Sequence, residues 1–287
     1  MKRPQKIVAL VTGCSSGIGY SASLMFARNG FHTYASMRNK RKSSIIQQIA
    51  NREALPLEVI QLNVNNSLSV KNAIEDIISE KGRIDVLVNN AGYGLIGPVE
   101  DISVEELKAQ FETNLFGVFR VTQEVLPTMR RQKEGGRIIN VSSIGGVVGY
   151  PFSAAYCSTK FALEGLSESM SYEVEPFDIK VILIEPAFVI SDFHNNAKIV
   201  VRANKTDNSS SYTQTMNRMF KKYKQVVEEY KISADDVAKV ILNAALSANP
   251  EQRYLVGRYS KTMMRGKRTM SDAQSHNMMG SQLLDNK

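Results

Sequence analysis

Cysteine is scarce in this 287-residue chain: only Cys14 and Cys157 occur, and neither lies in a metal-ligand spacing. This scarcity argues against a disulfide framework and against a structural zinc site. Long apolar runs are missing too, since no stretch approaches the roughly 20 residues of a membrane span. The first residues lead into a strand-like pattern without a cleavage site. We therefore expect a cytoplasmic protein without a metal site or a membrane span.

Positive charge is unevenly distributed along the chain. The net charge is +8, and residues 253–287 contain seven basic and two acidic residues, so the remainder is only mildly basic. We predict that 258–287 is a flexible, solvated basic tail and that nucleic acid is not the partner. Binding of RNA or of an anionic lipid surface by this tail is the open alternative.

Short apolar segments alternate with helical patterns. The strand-like segments are continuous apolar runs, typical of a parallel sheet covered on both faces; they are 6–12, 85–90, 137–143 and 180–186, with weaker candidates at 31–37, 56–64 and 253–257. Helical periodicity marks 17–29, 41–54, 67–81, 103–110, 114–132, 153–175 and 233–248. The alternation predicts an α/β fold, with one doubly wound parallel sheet of about seven strands and helices on both faces, in a single domain over 1–257.

The segment 187–230 is too long and too polar in its centre to be a simple connection. Right-handed crossovers place all strand carboxyl ends at one edge of the sheet, and long excursions at that edge often cover a ligand. We predict a substrate lid here, with a surface insertion as the alternative.

The stretch TGCSSGIG, residues 12–19, follows the first strand and opens into a helix. Its three glycines let the chain turn sharply, let a pyrophosphate approach the backbone and let the helix pack closely on its strand. The helix N-terminus would direct free N–H groups at an anion. An ATP-type phosphate loop is disfavoured, because Tyr20 stands where lysine would be needed. A dinucleotide site is predicted.

No carboxylate follows the second strand. Chains that bind NAD usually carry an acid there for the ribose hydroxyls, but this chain has Ser36, Met37 and Arg38, and its next acid is Glu53. Arg38 can donate charge-assisted hydrogen bonds to a 2′-phosphate, which a carboxylate would repel. We therefore predict NADP(H) rather than NAD(H), with a merely basic turn as the alternative.

Tyr156 and Lys160, in the stretch YCSTK, lie four residues apart in a predicted helix and so share one face. A nearby cation favours the phenolate, so Lys160 is expected to lower the pKa of Tyr156 from about 10 toward the range of a general acid or base. A tyrosine and a lysine at this spacing more often belong to an ordinary amphipathic helix, so the neighbouring motifs must decide whether the pair is catalytic.

Several motifs together resemble the short-chain dehydrogenase/reductase family. They are TGCSSGIG (12–19), NNAG (89–92), Asn114, Ser143, YCSTK (156–160) and IEPAFV (184–189), in the order and spacing of that family. The run 143–169 is most similar to the branch with estrogenic hydroxysteroid and retinol dehydrogenases. The resemblance implies a Rossmann fold and a catalytic tetrad, whose members would be Asn114, Ser143, Tyr156 and Lys160. Ser143 is preferred to Ser142 because it has the family's offset from the tyrosine.

The same resemblance implies a role for each member of the tetrad. Tyr156 would transfer a proton, and Ser143 would stabilise the substrate oxygen. Lys160 would hold the nicotinamide ribose, while Asn114 would hold a water. Further implied cofactor contacts are Gly13, Ser15, Ser16, Gly17, Ile18, Gly19, Arg38, Asn63, Val64, Asn90, Ala91, Gly92, Tyr156, Lys160, Pro186, Val189 and Ser191.

Two residues depart from the family pattern. Asn63 replaces the usual aspartate near the adenine, so a formal charge is lost. Ala187 replaces the glycine of the turn after the sixth strand, and alanine has fewer backbone conformations available than glycine.

The predicted substrate contacts are mainly apolar or aromatic: Tyr93, Ser143, Val148, Tyr150, Tyr156 and Phe188. This composition favours a small or lipophilic carbonyl or alcohol over a charged acid. We expect an NADP(H)-dependent oxidoreductase, and the resemblance to the family implies a homodimer or homotetramer through helices 114–132 and 153–175. The alternative is a redox sensor that binds NADP(H) without turnover.

Overall fold

A parallel sheet organises the protein. The computed structural model describes residues 7–132, 134–190, 197–200 and 211–284. Within them, seven strands form the sheet: β1 (Val8–Val11), β2 (His32–Met37), β3 (Leu57–Gln61), β4 (Val86–Asn89), β5 (Gly136–Val141), β6 (Ile179–Pro186) and β7 (Arg253–Val256). Their order is β7-β6-β5-β4-β1-β2-β3, and all neighbours are parallel. The predicted doubly wound sheet is confirmed.

Helices cover both faces of this sheet. The described residues form α1 (Gly17–Arg28), α2 (Ser44–Arg52), α3 (Ser67–Lys81), α4 (Val104–Phe111), α5 (Gly117–Arg131), α6 (Ala154–Val174), α7 (Thr213–Tyr230), α8 (Ala234–Leu246), α9 (Arg258–Thr269) and α10 (Asp272–Leu283). A π-helical turn, Glu112–Phe116, joins α4 to α5, and short 3-10 helices lie at Lys40–Lys42, Ile144–Gly146 and Glu175–Phe177. No described helix has the length and apolar character needed to cross a membrane.

The two faces of the sheet bury two separate cores, which explains the continuous apolar runs. Side chains alternate along a strand, so Ala9 and Val11 of β1 pack with α1 and α8, whereas Val8 and Leu10 pack with α3 and α5. Both sets are at most 1% exposed. A central strand such as β1 must therefore be apolar at every position.

The topology also positions the site. The strands β1 and β4 are neighbours, while the chain proceeds from β1 toward one edge of the sheet and from β4 toward the other. Ligands of such folds bind beyond the carboxyl ends of the strands at this switch point.

The chain after β7 is helical, which corrects the prediction of a flexible basic tail for 258–284. Tyr259 and Met263 of α9 are buried, as are Met279 and Leu283 of α10. They form a third apolar cluster with residues of α7. Each pair is spaced by four residues and shares one helical face, and the cationic residues of α9 are exposed on its other side.

The predicted insertion contains one long helix, α7. Two-residue strands flank it: Val189–Ile190 pairs with Ile232–Ser233, and Leu95–Ile96 pairs with Lys198–Ile199. Residues 191–196 and 201–210 lie outside the described ranges. The assignment of this segment as a lid stays a prediction.

Candidate active site

A crevice of about 650 Å³ runs along the carboxyl edge of the sheet. The turn after β1 and the end of β2 line one end, and α7 and α10 line the other. Of the described residues that line it, none is acidic, whereas Arg38, Lys42 and Lys160 are basic. The crevice therefore suits a ligand that carries negative charge on one part and apolar groups on another.

Hydrogen bonds join the glycine-rich turn to the end of β4. The Thr12 hydroxyl oxygen accepts from the N–H groups of Asn90 (3.0 Å) and Ala91 (3.1 Å), and Asn90 Nδ2 donates to the Thr12 carbonyl (2.9 Å). Gly13 has φ +74°, and a Cβ there would lie 2.8 Å from Ala91 Cα. Only glycine fits this close approach, so the two motifs form one rigid wall.

Helix α1 begins at Gly17, and residues 15–18 line the crevice. The Ser16 side chain at the N-cap makes no capping hydrogen bond. The first-turn N–H groups are thus available to a phosphate. Gly19 does not line the crevice; a Cβ there would lie 2.6 Å from the Gly13 carbonyl oxygen, so Gly19 allows α1 to pack against the turn.

The adenine end of the crevice combines basic and amide side chains. Arg38 and Lys42 are both exposed and line this end. Asn63 Oδ1 accepts from the Asn65 N–H (3.2 Å), so the replacement for the usual aspartate shapes its own loop. Two cations and the free helix N-terminus fit the phosphates of a dinucleotide, including a 2′-phosphate.

The side chains of Tyr156 and Ser143 interact with each other, and both residues line the crevice. Ser143 caps a 3-10 turn through a bond from the Gly145 N–H (3.0 Å). Lys160 Nζ donates to the Val141 carbonyl (2.8 Å) and lies 5.8 Å from the centre of the Tyr156 ring. The helix α6 and the end of β5 thus bring together two hydroxyl groups and one ammonium.

Burial dominates the ionisation of this group. It raises the pKa of Tyr156, although the hydrogen bond with Ser143 acts in the opposite direction. It also lowers the pKa of Lys160 to about 8, against the attraction of Glu164. The expectation that Lys160 brings the pKa of Tyr156 below its ordinary value is wrong here, because desolvation of the phenol is the largest effect on its ionisation. Tyr156 is therefore a protonated phenol at neutral pH.

Asn114 does not line the crevice but braces it from behind. It lies in the π-helical turn and is 1% exposed. Its Oδ1 accepts from the Tyr93 N–H (3.1 Å), and its Nδ2 donates to the Tyr93 carbonyl (3.0 Å) and to Thr159 Oγ1 (3.1 Å). The side chain thereby ties the loop after β4 to α6, next to Lys160.

Aromatic side chains surround the other end of the crevice. The Phe188 ring lies 5.2 Å from that of Tyr223 and 4.7 Å from that of Tyr259. Tyr150 lines the crevice as well, whereas Val148 is buried in the cluster behind it. The predicted substrate contacts include no residue of α7 or α10, yet Met219, Phe220 and Tyr223 of α7 and Leu283 of α10 line this end of the crevice. The apolar spacing in 213–230 and 258–283 was the available signal.

Most predicted cofactor contacts lie together. The crevice is lined by Gly13, Ser15, Ser16, Gly17, Ile18, Arg38, Asn63, Val64, Asn90, Ala91, Gly92, Tyr156, Lys160, Pro186 and Val189, and by the predicted substrate contacts Tyr93, Ser143, Tyr150 and Phe188. Ser191 lies outside the described residues.

Similarity to known proteins agrees with this geometry. The family profile for short chain dehydrogenases matches residues 7–202. The chain belongs to the short-chain dehydrogenase family. It is 42% identical to 3-ketodihydrosphingosine reductase of Bacteroides thetaiotaomicron over 68% of each chain. It is 35% identical to human 17-beta-hydroxysteroid dehydrogenase type 1 over 87% of this chain and 77% of that one. The family and branch expected from the motifs are confirmed.

A solved structure supports the same assignment of this short-chain dehydrogenase. A metagenomic short-chain oxidoreductase in complex with NADP has a TM-score of 0.69 and 26% identity, over 87% of this chain and 96% of that one.

The departure at Ala187 carries no backbone strain, because Ala187 is not among the described residues with positive φ.

Proposed function

We propose that this short-chain dehydrogenase uses NADP(H) to interconvert a carbonyl and an alcohol on a small or lipophilic substrate, with Tyr156 as the general acid and base. The observation that carries the proposal is the interacting pair of Tyr156 and Ser143, whose side chains both line the crevice. A bound nicotinamide supplies or accepts the hydride. Tyr156 donates the proton to the carbonyl oxygen in reduction, and Ser143 donates a hydrogen bond to the same oxygen.

The protonation states favour carbonyl reduction at neutral pH. Because burial raises the pKa of Tyr156, the phenol holds the proton that reduction consumes. Lys160 has a pKa of about 8, so its ammonium remains mostly charged at pH 7. That charge stabilises the phenolate left after proton transfer.

The cofactor preference rests on the end of β2. Arg38 and Lys42 line the crevice there, and none of the described residues that line it is acidic. A guanidinium and an ammonium bind a 2′-phosphate, whereas a ribose diol is better held by a carboxylate. The structural relative in complex with NADP supports this choice.

The substrate class rests on the lining of the opposite end. Phe188, Phe220 and Met219 present apolar surface beside Tyr156. Two relatives are named for a keto sphingoid base and a hydroxysteroid. Both are lipophilic molecules with one reacting oxygen function, which supports a lipophilic ketone or secondary alcohol.

Assembly is proposed from the outer face of α5 and α6. Phe119 is 51% exposed and Phe177 is 43% exposed, and both line an apolar groove of about 350 Å³ with Leu126 and Leu166. Exposed apolar surface of this kind marks protein interfaces. We expect a homodimer or homotetramer through these helices, measurable by light scattering.

The test is turnover with a defined panel of carbonyl compounds. NADPH consumption is followed with 3-ketodihydrosphingosine, a 17-ketosteroid and a long-chain aliphatic ketone, with pyruvate as a charged comparison. We expect reduction of at least one lipophilic ketone and none of pyruvate. The Tyr156→Phe variant should lose on the order of a hundredfold or more of the activity.

Tyr172→Phe is the matched control, because it removes a hydroxyl from the same helix at a position that is 68% exposed. It should retain wild-type turnover. Undiminished turnover of Tyr156→Phe would contradict the assigned role. Tight NADPH binding without turnover of any panel member would contradict the proposed function.

A further inference from the structure

A cluster of buried charges lies one helical turn beyond Lys160. Arg253 of β7 donates through Nη1 to Glu185 Oε1 of β6 (2.9 Å) and to Glu164 Oε2 of α6, and through Nη2 to Glu168 Oε2 (3.1 Å). The Glu185 side chain is fully buried and that of Glu164 is 8% exposed, whereas Glu168 is 54% exposed. One guanidinium therefore connects two buried carboxylates, although buried charges are costly.

Each buried carboxylate keeps one oxygen without a hydrogen-bond partner. Glu164 Oε1, Glu185 Oε2 and the neighbouring Ser142 Oγ are buried and unpaired among the described residues. A Cβ on Gly146 would lie 2.9 Å from Ser142 Oγ and 3.0 Å from Glu164 Oε1, so these two atoms lie against the same small residue. A purely structural ion pair would gain from pairing these atoms. The arrangement instead keeps negative charge directly behind the catalytic helix turn.

Lys160 adds a second buried cation beside these carboxyl groups. Arg253 bonds both Glu164 and Glu185, and burial raises the pKa of Glu185 to about 7, so Glu185 is partly protonated at neutral pH. Lys160 is the other buried cation on this side of α6, four residues before Glu164 on the same helical face. Its one hydrogen bond to a described residue is to the Val141 carbonyl, and Glu164 is the acidic residue one turn further along the same face of the helix.

We infer that Glu164 is a positioning residue that keeps Lys160 charged, and that Arg253 and Glu185 hold the Glu164 carboxylate in place. This inference rests on the proposed catalytic role of Lys160. The groups beside Lys160 or the carboxyl cluster are Tyr156 and Glu164 on its own helix, Ser142 and Ser143 after β5, and Asn114 through Thr159; Glu185 on β6 and Arg253 on β7 belong to the cluster itself, and the exposed Arg268 of α9 acts on Glu185.

The consequence is a shift in the alkaline limit of the reaction. Burial lowers the pKa of Lys160 to about 8, and the attraction of Glu164 opposes that change. Without the carboxylate, Lys160 would lose its proton at lower pH. Carbonyl reduction that requires the ammonium would then decline earlier as the pH rises.

The test compares Glu164→Gln with Glu168→Gln. Both variants remove one carboxylate from α6 and one hydrogen bond to Arg253, but Glu168 is two turns from Lys160 and half exposed. The value of kcat/KM is measured against pH with saturating NADPH and the panel ketone that is reduced best. The alkaline limb of Glu164→Gln should move to lower pH by about one unit, and that of Glu168→Gln should not move. Glu164→Asp keeps a carboxylate, so its alkaline limb should lie close to that of the wild type.

A second readout does not depend on turnover. Lysine is labelled with carbon-13 at Cε, and the Lys160 resonance is assigned by its loss in Lys160→Arg. Its titration midpoint should lie near 8 in the wild-type protein and lower in Glu164→Gln.

The outcomes separate the two claims. If Glu164→Gln and the wild type have the same alkaline limb of kcat/KM and the same Lys160 titration midpoint, the role of Glu164 is overturned. In that case, loss of activity in Tyr156→Phe would still uphold the proposed function. A wild-type midpoint well below 7 would overturn the inference even if Glu164→Gln does not fold. Failure to reduce any panel ketone would contradict the proposed function, and the titration would still decide the inference.

Discussion

The two ends of the crevice are built by different means. At the nucleotide end, backbone groups and short polar side chains form the wall, and hydrogen bonds such as those of Thr12 with Asn90 and Ala91 join two strand ends. At the substrate end, side chains of α7 and α10 form the wall and pack in an aromatic and methionine-rich cluster. Tyr156 and Ser143 lie between the two.

This difference predicts different tolerance to substitution. The nucleotide end depends on close backbone approach, for which an added methyl group has no room. The substrate end depends on side-chain volume, where methionine and aromatic residues adapt to changes of shape. Substitutions at the first end should affect cofactor binding strongly, and those at the second should redistribute substrate preference.

The largest effect is expected for Gly19→Val. A Cβ there would lie 2.4 Å from Asn90 Nδ2 and 2.6 Å from the Gly13 carbonyl oxygen, so α1 must move away from the turn. We expect a loss of stability of about 3 kcal/mol and loss of NADPH binding, measured by chemical unfolding and by calorimetry.

Gly165→Ala is the control, because no atom lies within 4 Å of the added Cβ and the position is an exposed helical one. It should stabilise the protein by about 0.5 kcal/mol. Wild-type NADPH binding by Gly19→Val would show that the nucleotide end is not rigid.

A smaller effect is expected for Leu283→Ala at the opposite end. Leu283 is 2% exposed and lines the crevice from α10. Its truncation should cost about 2 kcal/mol of stability and should raise the KM for lipophilic ketones while the KM for NADPH stays unchanged. Steady-state kinetics with both substrates varied measures this. An equal change in both KM values would contradict the separation of the two ends.

Arg38→Ala should weaken binding of NADPH by about tenfold, because a charge-assisted hydrogen bond contributes roughly 1.5–3 kcal/mol and exposure reduces it. Binding of NADH should not weaken. Arg41→Ala is the control, since Arg41 lies three residues further along the chain, is exposed and does not line the crevice. Equal losses of NADPH binding in both variants would indicate a general effect of basic charge.

The smallest effect concerns the pH dependence of stability at Glu185. Burial, followed by repulsion from Glu164, raises the pKa of Glu185 to about 7 in the folded protein. Its contribution to stability is therefore present below the unfolded pKa near 4.3 and is lost as the pH rises through about 7.

Glu185→Gln removes that loss. Between about pH 5 and about pH 8, the variant should lose less stability than the wild type, by on the order of 1 kcal/mol. Thermal unfolding at both pH values measures the difference. An identical decline in the two proteins would contradict the raised pKa of Glu185.

The nucleotide end was accessible from sequence because local rules determine it. A strand, a glycine turn and a helix follow one another within residues 8–28, and the apolar runs are diagnostic of buried parallel strands. The placement of Arg38 beside the crevice follows from that pattern, whereas the order of the strands comes from the structure.

The substrate end and the ionisation of Tyr156 were not accessible in the same way. The charge of α9 concealed the apolar spacing of Tyr259 and Met263, so its packing was missed. The sign of the pKa shift at Tyr156 depends on how much of the phenol is desolvated, which is a property of the tertiary structure. The spacing of Tyr156 and Lys160 alone gives only the contribution of the nearby charge.

The most direct measurement of the central claim is the single-turnover rate of hydride transfer in Tyr156→Phe loaded with NADPH and the best panel ketone. Single-turnover kinetics separate chemistry from binding. The account predicts that the variant binds NADPH as tightly as the wild type while its rate falls on the order of a hundredfold or more. Hydride transfer at the wild-type rate would contradict it.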